Sequence, residues 1–190
     1  MWVYEKKLEF PVSIRRPDLR VAKILAAQYG GPASELTAGL TYLSQRYSMP
    51  DDRIKATLTD IGTEELAHWE MIGTMLYQIL KCANPAAVRS AGFDGYYVLH
   101  SAGVFPTDPN GYNFTADYVS VTGDPIADIS FDMAAEQNAR ATYEHILQLT
   151  DDPDVISPIR FLREREIVHF QRFGECLGIL QDLKNPGCVL

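Results

Sequence analysis

The stretch Asp60-Ile61-Gly62-Thr63-Glu64-Glu65-Leu66-Ala67-His68-Trp69-Glu70-Met71-Ile72 sets a glutamate and a histidine three positions apart in a run with helical apolar spacing. Residues three apart project from one face of a helix, so Glu65 and His68 can aim a carboxylate and an imidazole at one point. Working outward, the stripe reads Ile54, Leu58, Ile61, Glu65, His68, Ile72, Met75 and Ile79, with spacings of four and three. That alternation is the buried seam of a packed helix. A second Glu-x-x-His, Glu166-Ile167-Val168-His169, sits in a like stripe with Ile159, Leu162, Phe173, Cys176 and Leu180. An ionised carboxylate in such a seam is costly unless it is paired or binds a metal. Each motif also has a glutamate thirty positions before it, Glu35 before Glu65 and Glu136 before Glu166. Glu136 is in register with Ile129, Ala139, Tyr143 and Ile146; Glu35 shares a weaker stripe with Gly39 and Tyr42. Of the four histidines, His100 and His145 lack the pattern. Glu64 lies about 100° from Glu65 around the helix and reads as a neighbour outside the cluster.

Two Glu-x-x-His helices, with one glutamate from each of two further helices, are the ligand set of ferritin-like di-iron and dimanganese bundles. The spacing alone therefore makes Glu35, Glu65, His68, Glu136, Glu166 and His169 candidate ligands of two metal ions. The expected fold is all-α, a ferritin-like four-helix bundle formed by residues 1–190 as a single dimetal domain. Residues 1–16, punctuated by Pro11 and Pro17, read as an extended N-terminal arm. The first helix starts near Pro17-Asp18, breaks or kinks at Gly30-Gly31-Pro32 because proline fits only a first turn, and resumes to about Tyr47. The second runs from about Pro50 to Lys81 with Asp51 and Asp52 at its start, where the helix dipole favours acids. The third runs from about Pro125 to Thr150. The fourth runs from about Pro153 to Leu180, or starts near Ser157 if Pro158 is the first-turn proline. Residues 82–124, between the second and third helices, carry glycines, prolines, Tyr96, Tyr97, Tyr112 and Tyr118. They read as the one long crossover of such a bundle, a packed layer with short strands.

Composition narrows the function classes. A chain of 190 residues with 46% hydrophobic content is long enough for a sizeable core. A formal charge of −8 disfavours nucleic acid and anionic membranes as partners. No apolar run approaches about twenty residues, so no membrane-spanning helix is expected. Met1 to Arg20 mixes charges and has no signal-peptide core. Cys82, Cys176 and Cys188 are widely spaced with no Cys-x-x-Cys, which points to a reducing compartment and away from a thiolate metal site. Oxygen-rich ligation with two imidazoles suits manganese or iron.

Four segments resemble the manganese catalase family: Gln28-Tyr29-Gly30-Gly31-Pro32-Ala33-Ser34-Glu35-Leu36-Thr37-Ala38, the Asp60 to Gly73 stretch, Ala134-Ala135-Glu136-Gln137-Asn138-Ala139-Arg140, and Arg163-Glu164-Arg165-Glu166-Ile167-Val168-His169. The likeness runs in order from Pro17 to Leu180. The opening Met1-Trp2-Val3-Tyr4-Glu5-Lys6-Lys7-Leu8 resembles the short spore-coat branch, the CotJC-like proteins of spore-forming bacteria. The resemblance implies two manganese ions per subunit. It implies that Glu65 bridges them, that Glu35 and His68 complete one, and that Glu136 and His169 complete the other. It places Glu166 off the metals, handling protons beside a bridging solvent, where the spacing alone makes it a ligand. Longer catalases of the family carry a C-terminal extension that wraps neighbouring subunits, and this sequence ends soon after its fourth helix. A homo-oligomer such as a hexamer, synthesis in the cytoplasm, a place in the spore coat, and contacts with other coat proteins are further implications.

The expected activity is disproportionation of hydrogen peroxide to water and oxygen. Two alternatives stand beside it. One is a ferritin-like di-iron oxidase or peroxidase; the other is a structural coat protein with weak or residual activity.

Overall fold

A computed structural model of the chain describes residues 3–184. Met1 and Trp2 of the opening motif, and Cys188, lie outside the described residues. Seven α-helices occur among them: α1 (Leu19–Gly30), α2 (Glu35–Gln45), α3 (Asp52–Leu80), α4 (Pro85–Ser90), α5 (Asp94–His100), α6 (Pro125–Leu149) and α7 (Pro153–Lys184). Starts are set by short polar side chains that accept from otherwise unpaired N–H groups. Asp18 accepts from Arg20, Asp51 from Arg53, and Asp124 from Ile126 and Ala127. The break at Pro32 separates α1 from α2, as the proline requires. The fourth long helix starts at Pro153 and runs through Pro158, so the later start near Ser157 does not occur. A proline six residues into a helix costs the Asp154 carbonyl its intrahelical partner, close to an end where carbonyl and amide groups already pair irregularly.

The four-helix bundle consists of the broken α1–α2, α3, α6 and α7. Its core has two apolar halves. One gathers Leu25, Ile72, Met75, Ile79, Tyr143, Ile146, Ile159 and Leu162; the other gathers Tyr42, Ile54, Leu58, Ile61, Ile129, Phe173, Cys176 and Leu180. Following the chain through them gives the directions. Helices α3 and α6 run from the second half to the first; α1–α2 and α7 run the opposite way. The chain must therefore return the full length of the bundle between α3 and α6. With 29 residues at about 1.5 Å each, α3 alone is about 40 Å long, so a long crossover is obligatory.

The crossover is packed, but its layer is built from helices, not the short strands expected. Asn84 caps α4 with Pro85 in its first turn, and Val88, Phe93 and Tyr96 enter the core. The Tyr96 hydroxyl donates to the Gly103 carbonyl and accepts from the Phe105 N–H, both at 2.9 Å. Only a single antiparallel bridge, Thr107 to Asn113, occurs among the described residues. Clustered aromatics without polar–apolar alternation pack as well on a helical turn as on a strand. Further on, the Ser120 carbonyl accepts from Gln45, and the Asp128 carboxylate accepts from Thr122 and Gly123, pinning the return to α2 and α6. The N-terminal arm is also tied down. Val12 and Ile14 pair through their backbone with the Gln78 amide, and Arg15 forks onto Asp154 at 2.8 and 2.9 Å.

Gly30 ends α1 where the crossover backbone passes over it. A Cβ there would stand 2.2 Å from the Thr107 nitrogen and 2.3 Å from the Pro106 carbonyl carbon. Gly30→Ala should lower stability by about 1–3 kcal/mol, the usual cost of overpacking, measured by urea denaturation. A parental midpoint would show that the crossover gives way without cost.

Candidate metal centre

Between the two apolar halves the seams of four helices turn polar at one level. Helix α2 contributes Glu35 in its first turn, capped by Ser34, whose Oγ accepts from the Thr37 N–H at 3.3 Å. Thr37 in turn donates to the Gly31 carbonyl at 3.0 Å, which fixes the break that aims Glu35 inward. Helices α2 and α3 approach closely because glycines face each other. A Cβ on Gly62 would lie 2.8 Å from Leu43 Cγ, and one on Gly39 would lie 3.1 Å from the Gly62 carbonyl oxygen. Glu65 and His68 come from α3, Glu136 from α6, and Glu166 and His169 from α7. All six side chains are buried, none more than 3% exposed.

Their donor atoms form two overlapping groups, Glu35–Glu65–His68–Glu166 and Glu65–Glu136–Glu166–His169, each with its atoms within 4.8 Å of one another. Glu65 stands between the imidazoles, with Oε2 at 3.1 Å from His68 Nδ1 and Oε1 at 2.7 Å from His169 Nδ1. Glu35 is 3.7 Å from His68 Nδ1, and Glu136 is 3.4 Å from His169 Nδ1. Glu166 Oε1 is 3.8 Å from His68 Nδ1. By distance Glu166 joins both groups, as Glu65 does, so proximity gives it the place that the spacing suggested. His100 and His145 stay outside: His100 stacks on Phe105 in the crossover, and His145 is exposed. Cys82 is exposed and Cys176 is buried in the α7 seam.

Charge separates the two shared carboxylates. Burial works against an ionised Glu65, but the two imidazoles outweigh it and hold its carboxyl well below the usual range. Burial pushes Glu166 well up, and the carboxylates of Glu65, Glu136 and Glu35 push it further. Glu35 is also raised, by burial and then by Glu65. Burial opposes charge on the imidazoles too, yet Glu65 and its neighbours raise His68 well above its ordinary value and His169 to about 12. The carboxylates thus create a field that strongly favours positive charge at this level of the bundle. Six buried side-chain atoms of the cluster lack a hydrogen-bond partner: Glu65 Oε1, His68 Nε2, Glu136 Oε2, Glu166 Oε1 and both His169 ring nitrogens. Leaving such atoms unpaired costs about 1–3 kcal/mol each, and divalent cations would recover it for the four that face the cluster, the two Nε2 atoms facing Glu64 instead. The donor set fits a pair of hard or borderline cations such as manganese or iron.

Five further residues surround the cluster. Tyr42 of α2 donates to Glu136 of α6, and Tyr143 of α6 donates to Glu35 of α2, a reciprocal cross-brace. Burial, then Glu136, keeps the Tyr42 phenol protonated and able to donate. Both tyrosines read as seam residues, but each follows its lone glutamate by seven positions, and that shared offset was the available signal. Glu64, read as a bystander, faces both imidazoles and is gripped by Arg165 of α7. Every residue of the second half stands 101 positions after its counterpart in the first, and Glu64 and Arg165 are separated by that same interval. Glu9 of the N-terminal arm also comes within 3.7 Å of His68 Nε2, with no sequence signal to mark it. A cavity of about 150 Å³ between α2 and α6, lined by Pro32, Ala38, Thr41, Phe131 and Ala135, reaches Glu35, Glu136 and Glu166.

This chain belongs to the manganese catalase family. The family described as manganese containing catalase matches residues 1–189. Protein CotJC of Bacillus subtilis (strain 168) is 51% identical over 185 residues, covering 97% of each chain. A probable manganese catalase of Clostridium acetobutylicum is 34% identical over 189 residues, covering 98% of this chain and 83% of its own. The crystal structure of KatB, a manganese catalase from Anabaena, matches with a TM-score of 0.87 at 32% identity, covering all of this chain and 86% of that one. The expected all-α, ferritin-like fold class holds with it. No helix among the described residues is long and apolar enough to cross a membrane.

Cation binding here needs imidazole lone pairs and ionised carboxylates, whereas Glu35, His68 and His169 are all pushed toward their protonated forms. Manganese must displace those protons. Its apparent affinity should rise with pH between about 6 and about 8, by roughly tenfold per unit for each proton released. Calorimetry in two buffers of different ionisation enthalpy measures the release directly. An affinity independent of pH over that range would mean that no proton is displaced.

Proposed function

We propose that the chain is a dimanganese catalase that disproportionates hydrogen peroxide to water and oxygen. The observation that carries this reading is the pair of four-donor groups sharing Glu65, buried between two apolar halves of one bundle. Glu35 and His68 would hold one manganese, Glu136 and His169 the other, with Glu65 bridging. Two bound manganese ions, each changing by one electron, would supply the electron pair that peroxide reduction takes up and peroxide oxidation gives back.

The chain's own residues do the rest. Reduction of one peroxide consumes two protons, and oxidation of the next releases two. Glu166, raised by burial and by three neighbouring carboxylates, is suited to keep a proton beside the reacting oxygens and return it. Its position at the inner end of the α2–α6 cavity supports that role over a purely structural one. Tyr42 and Tyr143 fix the carboxylates of Glu136 and Glu35 across the bundle, so the donor set is held before substrate arrives. The cavity's small side chains favour a small, polar substrate such as peroxide. We further assign residues 1–190 to one dimetal domain that works as a homo-oligomer, and we place it in the spore coat on its likeness to protein CotJC.

The test is oxygen evolution by protein of known metal content. Manganese-loaded protein should release one oxygen for every two peroxides consumed. Peroxide loss without oxygen, or activity with iron alone, would favour the di-iron oxidase or peroxidase. Glu166→Gln preserves shape but cannot exchange a proton as a carboxyl does. It should keep the parental manganese content while turnover falls by about 10²-fold or more. If it empties a metal position instead, Glu166 is a ligand and the proton role fails.

A further inference from the structure

We propose that Asp132 is held as a neutral carboxylic acid paired with the Gln45 amide, and that this pair is a third cross-brace between α2 and α6. The inference stands apart from the dimetal reading, because the pair lies off the donor cluster and needs no cation. Helices α2 and α6 run in opposite directions, so a step forward along one matches a step back along the other. Tyr143 donates to Glu35; seven residues forward on α2 and seven back on α6, Tyr42 donates to Glu136. Three residues further along α2 stands Gln45, and four further back along α6 stands Asp132. Those steps advance about 4.5 Å and about 6 Å, so the two residues fall near one level, a turn beyond the Tyr42–Glu136 brace.

This level lies inside the second apolar half, and both residues are fully buried. Three oxygens there have no partner: Asp132 Oδ1, Asp132 Oδ2 and Gln45 Oε1. One N–H of the Gln45 amide is used on the Ser120 carbonyl at 3.0 Å, which leaves one more to give. An ionised carboxylate only accepts, so an ionised Asp132 would leave three acceptors facing a single N–H. A proton on Asp132 changes the count. Its O–H donates to Gln45 Oε1, and the remaining Gln45 N–H donates to the other Asp132 oxygen. A ring of two hydrogen bonds closes, and all three oxygens take part.

No cation is among the groups that face Asp132. They are Glu136 and Asp128 of its own helix, Tyr42 of α2 and Cys176 of α7, while α3 presents Ile54, Leu58 and Ile61. Asp128 already accepts from the Thr122 N–H and hydroxyl and from the Gly123 N–H, so it has no proton to lend. Burial pushes the Asp132 carboxyl up to about 8, opposed by the Gln45 amide and helped by Glu136 and Asp128. An unpaired ionised group in this place is costly, and protonation is how a buried carboxyl escapes that cost. The neutral pair also keeps a further negative charge away from Glu136. Through Ser120 it ties the end of the crossover to α2 and α6 together.

The experiment compares the full-length parent with Asp132→Asn and Gln45→Met at matched metal content, by urea unfolding at a series of pH values and by infrared spectroscopy. An acid whose value is raised on folding contributes stability that is full below its unfolded value and is lost as pH rises through its folded value. Asparagine keeps the shape of the neutral acid and cannot ionise. The unfolding constant of the parent, divided by that of Asp132→Asn, should therefore grow with pH by up to about tenfold per unit above pH 4 and level off above about 8. The second N–H of the asparagine adds a fixed offset, so the slope is the test. A ratio independent of pH overturns the proposal, and an ionised Asp132 held by an interior water or a bound cation gives that result. At pH 6 the parent should show a protonated-carboxyl carbonyl band that Asp132→Asn lacks. Gln45→Met should shift that band to higher frequency, because the amide no longer donates to the carbonyl. A band that Gln45→Met leaves in place overturns the pairing, and this criterion decides the matter if Asp132→Asn fails to fold. Failure to take up manganese would overturn the dimetal reading and leave these outcomes as they stand.

Discussion

The structure is organised around the cost of burying four carboxylates and two imidazoles at one level of a helical bundle. An isolated ionised group in such a place costs several kcal/mol, and like charges add to it. Two of the carboxylates, Glu35 and Glu166, are pushed toward neutrality, Glu65 stays ionised between the imidazoles, and both imidazoles are raised. Everything nearby serves this arrangement. Apolar seams above and below exclude water. Facing glycines let α2 and α3 come close. The broken first helix turns Glu35 inward, and two tyrosines hold the flanking carboxylates from opposite helices. In a site already composed of fixed acceptors, little reorganisation is needed when a cation enters.

Much of the fold was legible in the sequence because its decisive residues repeat. The three-and-four spacing through Glu65 and His68 gave the seam of α3, and its echo through Glu166 and His169 gave that of α7. Pro32 marked the break between α1 and α2, and the length of α3 made a long return unavoidable. The crossover's internal structure was not legible. Its aromatics reported burial but not period, and Asn84-Pro85 was the only clear helix start within it. The run through Pro158 was also hidden, since a proline early in a helix looks the same whether it lies in the first turn or just beyond it.

The site was legible where side chains share a helix face and obscure where they meet across helices. All six clustered residues follow from offsets of three and thirty within a half. The contacts of Tyr42 with Glu136, and of Tyr143 with Glu35, join opposite halves; the shared offset of seven marks the two tyrosines but not their partners. Glu64 was misjudged for a simple geometric reason. It is adjacent to Glu65, so it leaves the seam on a different azimuth and seems to point away. Yet the far edges of the imidazoles reach beyond the seam to that azimuth, where a side chain from α7 can meet it.

The 101-residue interval that joins Glu64 to Arg165 sets a limit on how alike the two halves can be. Elsewhere equivalent positions carry the same residue: glutamate matches glutamate, tyrosine matches tyrosine, histidine matches histidine. Some of these like pairs meet: the rings of His68 and His169 stack with centroids 5.6 Å apart, and Glu65 and Glu166 share both donor groups. Positions 64 and 165 touch as well, through an ion pair. An identical residue at both would press two acids or two bases together. Here the repeat is broken, with opposite charges in contact. The two halves of the centre are consequently inequivalent, with the acid on the α3 side and its base on the α7 side. Two chemically matched metal positions would sit in a field that has a direction.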